Sequence, residues 1–179
     1  MKVNIFIFIF ILSLICPEGN ATSLPLDSML VQLDIYLKNN NQYIEQKEAK
    51  INKWRQHLNK AVSNEKRYEA SIHLFEEYKS YKYDSAYTYA QESLQLAQQL
   101  QNQGYVVEAN SAIAFCLLSS GLFKEAFDVI DKINVANVPL SYKIAYYSLY
   151  SRLYYDIADY NHEAPFQETY IKKGSQYTD

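Results

Sequence analysis

Glycine and proline are nearly missing from this chain, each occurring four times in 179 residues. These two residues disfavour helix interiors more than any others. Their scarcity, together with frequent Ala, Leu, Gln, Glu and Lys, favours long helices joined by short connections. Sustained two-residue alternation of apolar and polar side chains is also absent from the sequence, so we expect no β-sheet. The composition therefore predicts an all-α fold.

Cysteine is scarce as well, with one copy at Cys16 and one at Cys116. Cys16 lies in an N-terminal segment that we expect to be removed, which leaves a single cysteine unable to form an internal disulfide. Cys116 stands in the apolar run AIAFCLL and is expected to be a small buried apolar residue. Packing alone then has to hold the mature chain together.

Signatures of catalysis and of metal or phosphate binding are missing too. The sequence contains no Gly-rich phosphate loop, nucleophile elbow or zinc-protease helix. His57, His73 and His162 lie on separate segments without metal-ligand spacing, and the pair His162-Glu163 is a weak metal signal. We therefore predict no catalytic, cofactor or metal site. An enzyme remains a remote alternative.

An excess of basic charge is also lacking, because 17 basic and 20 acidic residues leave a net charge of -3. Nucleic-acid-binding domains carry a basic patch or stripe. The basic residues of KEAKINKWRQHLNK alternate with acids and amides and resemble a solvated helix face. We expect no nucleic-acid binding by this segment.

A targeting segment occupies the N-terminus. The charged start MK is followed by the apolar run NIFIFIFILSLI and the small residues Gly19 and Ala21, which is typical of a secretory signal peptide cleaved after Ala21. The run is shorter than the roughly 20 residues that a membrane-spanning helix needs. Lipid attachment at Cys16 is less favoured, because Ile15 stands where a Gly or Ala is usual. We expect residues 1–21 to be a signal peptide and residues 22–179 to form one exported, periplasmic domain.

Apolar spacing of three and four residues delimits the helices. It predicts about seven helices after the signal peptide, and a shorter segment opens at Pro165. Asp27 is the expected N-cap of the first helix, and the asparagines 39–41 mark a break before a helix that runs to Val62. Ser63 or Asn64 is expected to cap the third helix. Asp84 or Ser85 is expected to cap the fourth, and Gly104 to end it.

A repeat pattern links two of these helices. The segment EANSAIAFCLLSSGLFKEAFDVIDKI resembles a tetratricopeptide repeat, in which small residues let the two helices of a hairpin approach and a glycine turns between them. Ala86 matches Ala126 at a distance of 40 residues, against a usual period of about 34, and longer helices account for the difference. Asn110 departs from the pattern, since the repeat often carries an aromatic there. The expected packing positions of the repeat are Ala86, Ala114, Leu117, Gly121, Phe123 and Ala126. The resemblance implies a right-handed α-solenoid of antiparallel helix hairpins.

A more specific resemblance covers the whole mature chain. A signal peptide, the motif LDxxL, the segment YIEQK and the run LFEEYKSYKYDSAYTYAQESLQLA are similar to the exported N-terminal regions of Bacteroidetes-type tetratricopeptide regulators. In that group a helical-repeat region outside the inner membrane precedes a transmembrane helix and a cytoplasmic domain. The resemblance implies a non-enzymatic extracytoplasmic module that senses or binds a protein or peptide, with membrane contact only through a downstream segment. A freestanding exported scaffold or adaptor is the alternative.

The last residues, GSQYTD, are not followed by a polar capping helix of the kind that ends a solenoid. We therefore expect the reading frame to extend past Asp179 and to encode further helices of the array.

Tyrosine is the most unusual component, with 18 copies, seven of them between residues 141 and 160. Two apolar stripes run along this segment. Tyr146 and Tyr150 share a stripe with leucines and are assigned to packing. Burial between neighbouring helices accounts for two stripes without any ligand, so packing is favoured for the helix as a whole. The candidate partner-binding residues are Tyr147, Arg152, Tyr154 and Tyr155.

Overall fold

Eight α-helices and no strand make up the part of the chain that the structure, a computed structural model, describes, which is residues 26–178. The helices are α1 Leu26–Lys38, α2 Asn40–Lys60, α3 Asn64–Tyr78, α4 Tyr83–Gln99, α5 Gln103–Ser119, α6 Phe123–Ile130, α7 Leu140–Tyr160 and α8 Phe166–Ser175. This confirms the all-α prediction, and α8 is the shorter segment expected after Pro165. The predicted signal peptide and its cleavage site lie outside the described residues.

Within the described residues 26–178, the chain divides into two units, with the boundary between Tyr43 and Ile44. In the described part of the first unit, α1 has no buried residue, and its leucines are between 51% and 71% exposed. Asp27 lies inside the first turn because α1 already includes Leu26, so its predicted capping role is wrong. The predicted break is a single residue, Asn39. Within residues 26–178, no helix combines the length and the apolar character that crossing a bilayer requires.

In the second unit the helices pair as successive hairpins, α3 with α4, α5 with α6 and α7 with α8. Adjacent hairpins also contact each other, through α4 and α5 and through α5 and α7. Alanines fill the closest contacts: the side chains exposed by 1% or less include Ala70, Ala86, Ala90, Ala97, Ala109, Ala114, Ala126 and Ala158. Leu117 is also buried, and Phe123 is half-buried beside Tyr160, with the ring centroids 5.5 Å apart. This arrangement confirms the predicted helical solenoid.

From Ile44 onward α2 packs on α3. The Trp54 ring stacks on His73 with the centroids 3.9 Å apart, and the Lys47 ammonium donates to the Glu77 carboxylate at 2.8 Å. Val62 lies beyond the end of α2 and is 91% exposed, so the prediction that this helix runs to Val62 is wrong.

The predicted cap of α3 is confirmed at Ser63, whose hydroxyl oxygen accepts from the Lys66 backbone N–H at 3.3 Å. The predicted cap of α4 is wrong. This helix begins at Tyr83, so Asp84 and Ser85 lie inside its first turn, and Lys82 precedes it without a side-chain capping bond.

Gly121 ends α5 as predicted. Its φ angle is 75°, a left-handed conformation that glycine adopts without steric cost. The Leu122 N–H donates to the Leu117 carbonyl at 3.0 Å, and the Gly121 N–H donates to the Leu118 carbonyl at 2.9 Å. These two bonds form a Schellman motif, which satisfies carbonyls left open at the end of the helix.

Gly104 does not end α4, contrary to the prediction. The left-handed residue there is Gln101, with φ of 52°. Its neighbour Asn102 donates its N–H to the Ala97 carbonyl at 3.3 Å, and the Gln101 N–H donates to the Gln98 carbonyl at 3.1 Å. Gly104 instead lies in the first turn of α5, where an added Cβ would stand 2.6 Å from the Tyr142 ring. This glycine therefore permits a close approach of α7 to α5.

The two left-handed turns provide a matched test. Gly121→Ala should lower the free energy of unfolding by about 1–2 kcal/mol, the cost of placing an L side chain in this conformation. Gln101→Gly should raise it by up to about 1 kcal/mol, because the same cost is removed. Urea unfolding followed by circular dichroism measures both changes. Equal effects of the same sign from the two substitutions would contradict the assignment of both residues to this motif.

Candidate functional site

The first helices of the three hairpins, α3, α5 and α7, border a common cavity of about 190 Å³. We call this site the α3–α5–α7 groove. It is lined by Ile72, Phe75, Glu76 and Lys79 at α3, by Glu108, Ser111, Ala112 and Phe115 on α5, and by Ala145 and Leu149 on α7. On α3 and α5 these positions follow the spacing i, i+3, i+4, i+7, which places them on one face of each helix.

Two phenylalanines form the apolar floor of the groove. The rings of Phe75 and Phe115 meet edge to face, with centroids 6.1 Å apart and planes at 84°. This is a preferred geometry for aromatic pairs. Phe75 is buried and Phe115 half-buried, so part of the Phe115 side chain remains exposed in the groove.

Two cations stand over the Phe115 ring at one end of the groove. The Lys79 ammonium is 5.7 Å and the Arg152 guanidinium carbon 4.9 Å from the ring centroid. Each cation also has an acidic partner near it in sequence: Lys79 pairs with Glu76 at 2.6 Å, and the Arg152 Nε pairs with Asp156 at 3.3 Å. Arg152, a predicted site residue, therefore lies at the groove.

Three tyrosines form a row near the other end. Tyr68, Tyr105 and Tyr142 follow each other at intervals of 37 residues, and one lies on the first helix of each hairpin. Tyr68 and Tyr105 stack with their centroids 4.1 Å apart. The Tyr68 hydroxyl donates to the Glu108 carboxylate at 2.6 Å. Burial, and next this bond to Glu108, raise the pKa of Tyr68 well above its usual range. Burial also raises the pKa of Tyr142, with a smaller contribution from the Glu108 charge.

Tyr147 and Tyr154 lie on a different face of α7. They join Tyr177, which follows α8: Tyr147 stacks on it with centroids 6.0 Å apart, and Tyr154 lies nearly parallel to it at the same distance. Tyr154 also packs against Phe127 of α6 at 5.0 Å, while Tyr147 is 39% exposed. The structure thus brings Tyr147 and Tyr154 together and separates both from Arg152.

Tyr155 is half-buried against α8. A Cβ added at Gly174 would stand 3.2 Å from the Tyr155 ring, so the glycine allows this contact.

Tyr146 is buried, and its hydroxyl donates to the Ile130 carbonyl at 3.4 Å; burial raises the pKa of Tyr146 to about 12. The Tyr150 hydroxyl donates to the Asp131 carboxylate.

The remaining polar residues singled out in the sequence are dispersed. His57 and His73 both contact the Trp54 ring, at centroid distances of 5.1 and 3.9 Å, and His162 is exposed. Burial raises the pKa of the Cys116 thiol to about 11. Within the described residues 26–178, no cluster of three or more His, Cys, Asp or Glu side chains is placed to hold a metal ion.

Neither Glu108 nor the groove itself was predicted from the sequence. A signal was present, because the i, i+3, i+4, i+7 positions of α3 and α5 form a second stripe beside the core stripe. This stripe mixes charged, small and aromatic residues. In the sequence, this stripe resembles an ordinary solvated helix face. The groove becomes evident only when the three helices lie side by side in the structure.

The comparisons with known proteins identify one family. The family model described as the SusR N-terminal TPR domain matches residues 37–179, a range that includes α2 to α8 and every residue lining the groove. No curated protein and no solved structure matches the sequence.

The tyrosines of α7 differ in how much they contribute to packing. Tyr154→Ser should lower the free energy of unfolding by about 2–4 kcal/mol, because it removes a ring held by residues of α6 and α8. Tyr147→Ser should cost less than about 1 kcal/mol, since that ring is more exposed. Urea unfolding of the two variants measures the difference. A cost at Tyr147 equal to that at Tyr154 would show that both rings belong to the core.

Proposed function

The chain belongs to the family of SusR N-terminal TPR domains, and on that premise we propose that it is the extracytoplasmic, protein-binding part of a membrane-anchored regulator, which receives its partner in the α3–α5–α7 groove. TPR domains in general mediate protein–protein interactions and are not catalytic. The function is therefore recognition, and its specificity depends on which side chains the repeats expose.

The groove is the observation that carries this proposal. Phe115 and Leu149, beside the buried Phe75, provide an apolar surface that the core does not cover fully, and charged side chains border it at both ends. A partner segment can bury an apolar side chain on this floor while its polar groups meet the bordering charges. Buried apolar anchors surrounded by polar contacts supply most of the energy in protein interfaces.

Export is supported by the predicted signal peptide at residues 1–21. The regulator role is supported by the resemblance of the mature chain to exported tetratricopeptide regions that precede a membrane span. A reading frame that encodes a membrane span beyond Asp179 would favour the regulator, and a stop codon at that point would favour a freestanding exported scaffold.

Export can be tested with a reporter. Residues 1–30, fused to an alkaline phosphatase that lacks its own signal, should give enzyme activity in a Gram-negative host, because this enzyme gains its disulfides only in an oxidising compartment. A matched fusion that begins with methionine followed by residues 22–30 should remain inactive. Equal activity from the two fusions would contradict a signal peptide in residues 1–21.

Groove binding can be tested with a photoreactive phenylalanine analogue. Incorporated at position 145, where exposed Ala145 borders the groove, it should cross-link to a discrete protein in cells of the source organism. The matched control replaces Ala49, which is exposed on α2 and does not line the groove. Phe115→Ala should reduce the cross-link at position 145, because it removes part of the apolar floor. The same products at both positions would contradict docking in the groove.

A further inference from the structure

Glu108 differs from every other charged residue that lines the groove. The groove contains two carboxylates, Glu76 and Glu108, and Glu76 already forms an ion pair with Lys79. Among the residues that the structure describes, Glu108 has no basic partner within ion-pair distance. It is also half-buried, so water screens its charge less than it does on an open surface.

The immediate surroundings of Glu108 leave acceptor positions open. A carboxylate offers about four lone-pair sites, and the Tyr68 hydroxyl occupies one of them. One turn further along the same groove face, the Ser111 hydroxyl oxygen is buried with no hydrogen-bond partner among the described residues. This face of α5 therefore has spare acceptor capacity on the Glu108 carboxylate and a Ser111 hydroxyl without a partner.

Tyrosine side chains lie beside the same carboxylate. Tyr68 and Tyr105 stack beside it, and the Glu108 charge contributes to the raised pKa values of Tyr68 and Tyr142. A half-buried carboxylate without a basic partner in the described part of the chain is chemically suited to an ammonium or guanidinium group.

The other end of the groove is not an equally good site for an anion. Lys79 and Arg152 are held over Phe115, and each has an acidic neighbour, Glu76 and Asp156 respectively. A carboxylate arriving there would compete with these neighbours. These four charged groups and Glu108 make three acidic and two basic side chains, and this excess of negative charge favours a basic partner.

We propose that the partner segment places a lysine or arginine side chain against Glu108 and an apolar side chain on the floor formed by Phe75 and Phe115. This rests on the proposed function, because it specifies the chemistry of a partner in the same groove. Glu108 and Phe115 are seven residues apart on α5, which is about 10 Å along a helix. An extended peptide covers about that distance in three residues, so the two side chains are spaced i and i+3.

The test uses four capped peptides: acetyl-Leu-Ala-Ala-Lys-amide, the same residues in reverse order, and the two counterparts with Glu in place of Lys. Nitrogen-15-labelled protein is titrated with each and followed by NMR. We expect at least one Lys peptide to shift the amide resonances of Glu108 and Phe115. We expect Glu108→Gln to weaken its binding about fivefold to tenfold, the usual effect of losing one charge-assisted contact at a partly exposed site.

Two features keep this experiment interpretable. Glu108→Gln retains an oxygen that accepts the Tyr68 hydroxyl, so the fold and the tyrosine row are preserved. Glu76→Gln is the matched control, since it removes a groove carboxylate that is already paired with Lys79. This control should change the affinity for the Lys peptide less than about twofold.

The outcomes separate the inference from the proposed function. If the Glu peptides bind in the groove as tightly as the Lys peptides, the cation inference is wrong and the groove still binds peptides. If Glu76→Gln weakens binding as much as Glu108→Gln, the overall charge rather than Glu108 selects the partner, and the inference is again wrong. If no peptide shifts a groove resonance, both the inference and groove docking are contradicted.

Discussion

Close contact between helices at alanine side chains is the constraint on which the rest of this structure depends. Ala90 and Ala97 on α4, Ala114 on α5 and Ala126 on α6 are all fully buried. Because a methyl group adds little thickness, helices that meet at alanines approach closely. This closeness lets one hairpin stack on the next, and it places α3, α5 and α7 beside each other. The groove exists because the first helices of the hairpins are neighbours. The proposed partner recognition therefore depends on buried alanine contacts that lie outside the groove.

Aromatic residues both pack the helices against each other and line the groove, and the composition does not show which residues do which. Tyrosine combines a ring that packs with a hydroxyl that needs a partner, and both needs are met at Tyr68, Tyr146 and Tyr150, whose hydroxyls donate to protein oxygens. Most tyrosines of α7 thus join the contacts among α6, α7 and α8. The floor of the groove is built from phenylalanines instead. Tyrosine, the most unusual component of the composition, is therefore not the residue type that forms the apolar part of the proposed binding site.

The success of prediction from sequence depended on the range of the interactions involved. The Ser63 cap and the Gly121 turn involve residues within a few positions of each other, and both were predicted correctly. Gly104 was misassigned because the sequence does not show that Tyr142 occupies the space where its side chain would be. Gln101 gives no local signal, since glutamine rarely adopts a left-handed conformation and does so here between two docked helices. Arg152 was singled out with the tyrosines next to it in sequence, but its ring contact is with Phe115, on another helix.

Local pattern by itself determined that the chain is helical and where most helices lie, and the resemblance to a tetratricopeptide repeat implied that they form hairpins. These properties depend on helix propensity, on apolar spacing and on short-range capping, all of which the sequence displays directly. Only the tertiary structure decided which faces meet. It joins the Tyr68 hydroxyl to Glu108, 40 residues later, and it leaves that carboxylate without a basic partner in the described part of the chain. The physical reason is that helical periodicity specifies the side of a helix on which a residue lies. The neighbour on that side depends on how the hairpins stack.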